Sequence, residues 1–133
     1  MKVYDCFMYF DEDIVLDLRL NHLNPYVDKF VIAESKFTHS GKKRDLLFDI
    51  NKFKKFENKI IYLVLDYEPH GIEAVNDLDD HGEKSRKYIL NAAKRENYQR
   101  NYLNQGLGEA DPNDIVLISD LDEIPNLEHI NFG

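Results

Sequence analysis

The stretch Ile115–Glu123, which runs Ile-Val-Leu-Ile-Ser-Asp-Leu-Asp-Glu, decides the fold and carries the strongest chemical signal in the sequence. Its four consecutive apolar residues predict a short strand that is buried on both faces, as is typical of parallel sheets. The run breaks into an acidic cluster that contains Asp120 and Asp122. In open parallel sheets, ligands bind beyond the carboxyl ends of the strands. The cluster therefore stands where such a fold places its site.

Three earlier apolar runs end in acidic or polar residues in the same way: Val3–Phe10, Lys29–Ala33 and Ile60–Leu65. The last two predict interior parallel strands. Helical periodicity lies between the runs, over Ile14–Leu23 and over Glu83–Leu107. Strands that alternate with helices predict an α/β fold, a Rossmann-like, mostly parallel sheet with helices on both faces.

The details of the helices and connections are less strongly determined. The first helix has two apolar stripes, which include Ile14 with Leu18 on one side and Leu16 with Leu20 on the other, so we expect it to be packed on more than one side. Residues 46–58 predict either a short helix or an irregular connection. Residues 35–44 and 68–82 predict loops, because they are polar and lack periodicity.

Composition narrows the function classes. A chain of 133 residues is the size of one domain, so residues 1–133 are expected to form a single one. Acidic residues outnumber basic ones by 25 to 17 and no basic stripe recurs, which argues against a nucleic-acid partner. Cys6, the single cysteine, is expected to fill core. The sequence shows neither a signal peptide nor a membrane span, which predicts a cytoplasmic protein.

The acidic cluster suggests metal chemistry. Two carboxylates at positions i and i+2 after a buried strand can reach one cation, either directly or through water. Oxygen ligands favour Mg²⁺ or Mn²⁺ over zinc. Such an ion can bridge the oxygens of a diphosphate and neutralise its charge as it leaves. Asp122 is the stronger candidate ligand, because Asp120 can instead assist the metal without binding it directly, or bind a ribose. By spacing alone, a solvated acidic turn remains an alternative.

The sequence resembles glycosyltransferase family 17. The resemblance runs in order along nearly the whole chain and is carried by Asp5-Cys6-Phe7, Phe10-Asp11-Glu12, Leu18-Arg19-Leu20, Val31–Ser35, Phe37–Lys42, Arg95-Glu96, Gln99-Arg100-Asn101 and Ile118–Pro125. It implies a GT-A fold, a divalent metal at the Asp-X-Asp, and inversion at the anomeric carbon. It also implies a UDP-sugar donor, UDP-N-acetylglucosamine in the characterised enzymes, and a glycan or other hydroxyl acceptor.

The resemblance further implies that this is the N-terminal, donor-binding part of such an enzyme. The sequence ends at Gly133, just after the metal motif, whereas a GT-A enzyme continues with its acceptor pocket and general base. The catalytic base is therefore unknown and expected beyond Gly133. The sheet is expected to be incomplete on its C-terminal side, which predicts an exposed edge and self-association through it.

Four further residues are candidates for donor binding. Glu34 ends the second strand, where GT-A enzymes place nucleotide contacts, and otherwise it is a carboxylate facing water. His39 and Lys42 lie in the following loop, where they either approach a diphosphate or are merely solvated. Arg100 lies on the apolar stripe of its helix, so its guanidinium needs a partner, either Glu96 one turn earlier or the donor diphosphate.

Two other functions remain open at this point. A haloacid-dehalogenase-like phosphatase also has Asp-X-Asp after a strand, but there the motif stands near the start of the fold, and the residue at the position of Ile124 is usually Thr or Val. A non-catalytic fragment that binds a nucleotide-sugar without transferring it would share every feature quoted above. Release of UDP from a UDP-sugar separates a transferase from a binder, and hydrolysis of a phosphate ester indicates a phosphatase.

Overall fold

The computed structural model describes residues 1–128 and 130, so the last residues of the predicted domain lie outside it. The strands are β1 (Val3–Tyr9), β2 (Lys29–Ser35), β3 (Ile60–Leu65) and β4 (Ile115–Ile118). The α-helices are α1 (Asp13–Leu23) and α2 (His81–Tyr102). Two 3₁₀ segments, Ile50–Phe56 and Leu103–Leu107, complete the list of helical elements in the described residues.

The four strands form one sheet in the order β3-β2-β1-β4, and every neighbouring pair is parallel. The chain builds outward from β1 to β3 and then returns to place β4 on the other side of β1. The carboxyl ends of β1 and β4 therefore border the point where the strand order reverses, which is where open α/β sheets bind ligands. The predicted α/β, Rossmann-like architecture is confirmed.

Side chains of β1 alternate between two apolar layers. Val3, Phe7 and Tyr9 pack with α1 and the first 3₁₀ segment, whereas Tyr4 and Cys6 pack with β2 and the second 3₁₀ segment on the other face. Helical structure covers both faces, as predicted. Cys6 is a buried core residue, and its burial raises the pKa of the thiol to about 12.

The prediction that Ile60–Leu65 is an interior strand is wrong, because β3 lies at one edge of the sheet. The β3 sequence is apolar on both faces because each face packs against a core, and not because β3 has a neighbouring strand on both sides. Ile60 and Tyr62 pack against one core, while Ile61 and Leu63 pack against the other. An apolar run therefore indicates that both faces of a strand are covered, but it does not indicate whether the strand has a neighbour on each side.

The expected second packed face of α1 is also wrong within the described residues. Leu16 and Leu20 are fully buried, but Ile14 and Leu18 are 88% and 59% exposed. The prediction that β4 is buried on both faces is wrong as well, because β4 forms the other edge of the sheet and its Val116 and Ile118 side chains are exposed. Self-association through this edge remains a prediction.

Connections follow local signals. Residues 46–58 contain a 3₁₀ segment, one of the two predicted forms. α2 begins two residues before the predicted start, because Asp80 caps it by accepting a hydrogen bond from the Glu83 amide at 2.7 Å. The helix ends in a 3₁₀ turn where Gly106 approaches β2 so closely that an added Cβ would clash with Val31 Cγ1.

Among the described residues, no helix has the length and apolarity needed to span a bilayer.

Candidate functional site

A cleft of about 290 Å³ opens beside the carboxyl ends of β1 and β4. Its lining combines apolar and acidic side chains: Met8, Phe10, Glu12, Val15, His39, Glu96, Asp120, Leu121 and Asp122. Four of these nine residues are carboxylates, so the cleft presents concentrated negative charge. Such a lining favours a bound cation or a ligand that carries one.

The Asp-X-Asp sequence lies on a tight turn whose shape is set by its neighbours. The Glu123 amide donates to the Asp120 carbonyl at 2.9 Å, and the Asp120 amide donates to Glu123 Oε1 at 3.1 Å. The exposed Glu123 side chain therefore folds back onto the Asp120 amide and closes the turn. The Asp120 side chain is 53% exposed and Asp122 is also exposed, so both carboxylates are accessible from the cleft.

A buried arginine lies beneath this turn. Arg19, from α1, is fully buried and pairs with the equally buried Asp5 of β1, with 2.6 Å between Nη2 and Oδ1. Its Nη1 donates to the carbonyls of Asp120, Leu121 and Glu123 at 2.7, 3.1 and 3.0 Å. The Asp-X-Asp turn is thus attached to the first strand and first helix.

Neither Asp5 nor Arg19 was assigned a role from the sequence, although both stand within the quoted family motifs. The available signal was two opposite charges in otherwise apolar positions. Asp5 interrupts a buried strand, and Arg19 lies on the same helix stripe as Leu16 and Leu20. A buried charge requires a partner of opposite charge, so the sequence contained the signal for a pair between Asp5 and Arg19.

Arg100 lies between the two partners that the sequence suggested for it. Its Nη2 is 3.0 Å from Glu96 Oε1, which confirms the predicted pair one helical turn apart. The same atom lies 3.6 Å from Asp120 Oδ1. The structure therefore brings Arg100 to the Asp-X-Asp turn, where a guanidinium can bind phosphate oxygens. Its contact with a donor remains a prediction.

His39 lines the cleft and is held by a buried amide. His39 Nε2 lies 3.2 Å from Gln99 Oε1, while Gln99 Nε2 donates to the Ala33 carbonyl at 3.1 Å. Since an amide oxygen only accepts, His39 Nε2 is the donor, and in the neutral form of the ring Nδ1 is then the acceptor. The ring also packs edge-on against Phe10, with 5.0 Å between centroids.

Lys42 does not line the cleft, although it belongs to the same loop as His39. It is exposed and closes a turn in which its amide donates to Thr38 Oγ1 at 3.1 Å. The structure therefore separates the two loop residues that the sequence grouped. A donor contact by Lys42 remains a prediction.

Glu34 is buried and fully engaged by protein groups. Its carboxylate accepts from the amides of Leu47 and Phe48 at 2.7 and 3.1 Å, and from the Tyr62 hydroxyl at 2.5 Å. Arg44 Nη1 lies 3.0 Å from Oε2. The alternative of a carboxylate facing water is wrong, because Glu34 is 0% exposed and its bonds hold the loop after β2. A nucleotide contact by Glu34 stays a prediction.

Within residues 1–128 and 130, no three His, Cys, Asp or Glu side chains are arranged to hold a metal ion by themselves. This arrangement still fits Mg²⁺ or Mn²⁺ bound together with a diphosphate. Mg²⁺ keeps several waters and is usually held by one or two carboxylates and the substrate's phosphates. The exposed pair Asp120 and Asp122 is such a donor set.

Comparison with known proteins gives one family. The sequence model described as glycosyltransferase family 17 matches residues 1–132. Human beta-1,4-mannosyl-glycoprotein 4-beta-N-acetylglucosaminyltransferase is 30% identical over 126 residues, which cover 89% of this chain and 21% of the human protein. The rat protein of the same name is also 30% identical, with 89% and 20% covered. The chain thus spans about a fifth of these relatives. No solved structure matches it significantly.

Proposed function

Because the chain belongs to glycosyltransferase family 17, we propose that it forms the donor-binding part of a metal-dependent, inverting glycosyltransferase with a GT-A fold. The donor is a UDP-sugar, with N-acetylglucosamine as the transferred sugar, and the acceptor is a glycan hydroxyl. One observation carries the proposal. Two exposed carboxylates project from a hydrogen-bonded turn at the point of the sheet where α/β folds bind nucleotides.

Each side chain has a role in this proposal. Asp122 and Asp120 hold Mn²⁺ or Mg²⁺, which when bound neutralises the charge of the departing UDP. Arg100, beside Asp120, binds a phosphate oxygen of the donor. His39 accepts a hydrogen bond at Nδ1 from a hydroxyl or N–H group of the donor. These residues bind and orient the donor, and the acceptor hydroxyl attacks from the opposite face of the sugar.

Sugar identity comes from the relatives. The matched human and rat proteins are named as enzymes that transfer N-acetylglucosamine to the mannosyl part of a glycoprotein. We extend the sugar to this chain and leave the acceptor as a glycan hydroxyl. The general base that deprotonates this hydroxyl is not assigned to any residue of the chain. Family membership also favours transfer over the phosphatase alternative.

The test is a calorimetric titration of UDP and UDP-N-acetylglucosamine, with and without Mn²⁺. We expect wild-type protein to bind both ligands only when metal is present, and Asp122→Ala to lose that binding. Asp77→Ala is the matched control, because Asp77 is an exposed aspartate that does not line the cleft. Equal binding with and without metal, or equal binding by the two variants, would refute the metal-dependent donor site.

A further inference from the structure

Arg19 is the largest fully buried side chain in the described part of the protein. Removing a guanidinium from water is expensive, and one carboxylate partner rarely compensates for that loss. An apolar residue at the same position of α1 would fill the layer without this desolvation. The hydrogen bonds that Arg19 makes to groups other than Asp5 therefore indicate the structural role of the buried charge.

The two sides of the guanidinium have different partners. Nε and Nη2 donate to Asp5 Oδ2 and Oδ1 at 2.8 and 2.6 Å, which anchors the group to β1. The Phe7 ring supports it from below, with 4.5 Å between Cζ and the ring centroid. On the other side, Nη2 donates to Ser119 Oγ at 2.6 Å. Nη1 reaches three carbonyls of the Asp-X-Asp turn.

These contacts determine the orientation of the turn. The carbonyls of Asp120, Leu121 and Glu123 all point inward to one cation, and Ser119 Oγ adds a second bond to the Glu123 carbonyl at 3.1 Å. Leu121 is buried, whereas Asp120 and Asp122 are exposed. Attachment to the buried Arg19 therefore fixes the backbone from which the two carboxylates project, and a metal-diphosphate site requires such positioned ligands.

We infer that Arg19, neutralised by Asp5, is a positioning residue that sets the geometry of the Asp120 and Asp122 carboxylates for metal-dependent donor binding. The inference rests on the proposed function for its ligand. It goes beyond that function because Arg19 lies beneath the cleft and acts only through the backbone of the turn. Lysine cannot replace it, since an ammonium has three donors and no planar fork, whereas Arg19 makes six hydrogen bonds.

The experiment compares Arg19→Lys with Leu23→Ala, a large-to-small change on the same helix. Leu23 is fully buried near the end of α1 and does not line the cleft, so its truncation lowers stability without changing the turn. Both variants are studied at a temperature where circular dichroism shows them folded. Ser119→Ala is the milder companion, because it removes one bridge between Arg19 and the turn without leaving a buried charge unpaired.

Two readouts are measured on each protein. In Arg19→Lys we expect the Mn²⁺-dependent affinity for UDP to fall at least about tenfold, in the range found for groups that orient metal ligands. Hydrogen exchange of amides 119–123 should accelerate beyond that of the rest of the chain. Leu23→Ala should keep the affinity and show no acceleration specific to the turn. Ser119→Ala should show the same two changes as Arg19→Lys at smaller amplitude.

The two readouts separate the two hypotheses. If wild-type protein binds no UDP with Mn²⁺, the proposed function fails, and exchange at 119–123 alone still tests whether Arg19 orders the turn. If wild-type protein binds and both Arg19→Lys and Ser119→Ala retain its affinity and exchange pattern, the positioning role is overturned. If Arg19→Lys does not fold, Ser119→Ala decides the result by the same criteria.

Discussion

Two acidic positions at the carboxyl ends of parallel strands in the same sheet have opposite environments. Glu34, at the end of β2, is buried and accepts bonds from two amides and a hydroxyl beside the Arg44 guanidinium. Asp120 and Asp122, after β4, are exposed on a turn whose backbone groups are bonded to the Arg19 and Glu123 side chains. An acidic residue after a strand therefore has no single meaning.

The two sites differ in whether the protein itself provides hydrogen-bond donors to the carboxylate. Protein groups bind both oxygens of Glu34, and these bonds hold the loop of residues 44–48. For Asp120 and Asp122 the protein orders the backbone and leaves the side chains accessible. A carboxylate whose oxygens are accessible at a cleft is available to a cation. Substitutions at the two strand ends should therefore separate stability from binding.

The largest effect is expected for Glu34→Ala. Removing the carboxylate leaves Arg44, two amides and the Tyr62 hydroxyl without their partner, and loss of one member of a buried charged pair typically costs about 3–5 kcal/mol. Urea denaturation measures this loss against Glu57→Ala, a control at an exposed glutamate. Intact stability combined with lost UDP binding would instead make Glu34 a donor contact.

Asp122→Asn should give the reverse result. The amide keeps the shape of the side chain but loses the charge, so Mn²⁺-dependent UDP affinity should fall about a hundredfold. The free energy of unfolding should change by less than about 0.5 kcal/mol, as for other exposed substitutions. Titration and denaturation of the same preparation provide both values. Asp120→Asn is the internal comparison, and an equal or larger loss there would make Asp120 the principal ligand.

Much of the fold was predictable from the sequence because strand runs and helix periodicity are local properties. Four strands, two helices and the accessible Asp-X-Asp turn follow from residues within about ten positions of one another. The position of β3 did not follow, because hydrophobicity reports covered faces and is silent about which strand lies alongside. The exposure of Ile14 and Leu18 was missed for a similar reason, since an apolar stripe does not specify what covers it.

The site was predictable only in part, because its support comes from distant parts of the chain. Asp120, Asp122, Arg100 and His39 were selected by residue type and strand-end position, and the structure brings all four to one cleft region. The bonds from Arg19 to the turn join residues about a hundred positions apart. No local pattern contains that pairing.

Arg100→Gln should produce an intermediate effect on binding. The arginine is partly exposed, so loss of its pairs with Glu96 and Asp120 should cost at most about 1 kcal/mol of stability. If Arg100 binds a donor phosphate, the affinity for UDP with Mn²⁺ should fall about tenfold. Arg86→Gln is the control on the same helix, since Arg86 pairs with Glu83 away from the cleft. An increase in affinity would show that Arg100 competes with the metal for Asp120.

The smallest effect is expected for Tyr62→Phe, which removes one donor from Glu34 and leaves the rest. At neutral pH the lost hydrogen bond should lower the free energy of unfolding by about 1 kcal/mol. Burial, together with the bond to the Glu34 carboxylate and its charge, raises the pKa of Tyr62 in the folded protein. The unfolded chain ionises first, near the ordinary tyrosine pKa of about 10.

This shift predicts how the difference between the two proteins depends on pH. Below about pH 10 both states hold the proton, so the contribution of Tyr62 to stability is fully present. Above that pH the unfolded state ionises while the folded state does not, and the contribution is lost as pH rises toward the folded pKa. Tyr9, whose pKa is also raised, is common to both proteins and cancels in the difference. Urea denaturation between neutral and alkaline pH should therefore show the advantage of wild type shrinking. If the difference in free energy of unfolding between the two proteins stayed constant with pH, the hydrogen bond from Tyr62 to Glu34 would not be part of what stabilises the buried Glu34 carboxylate.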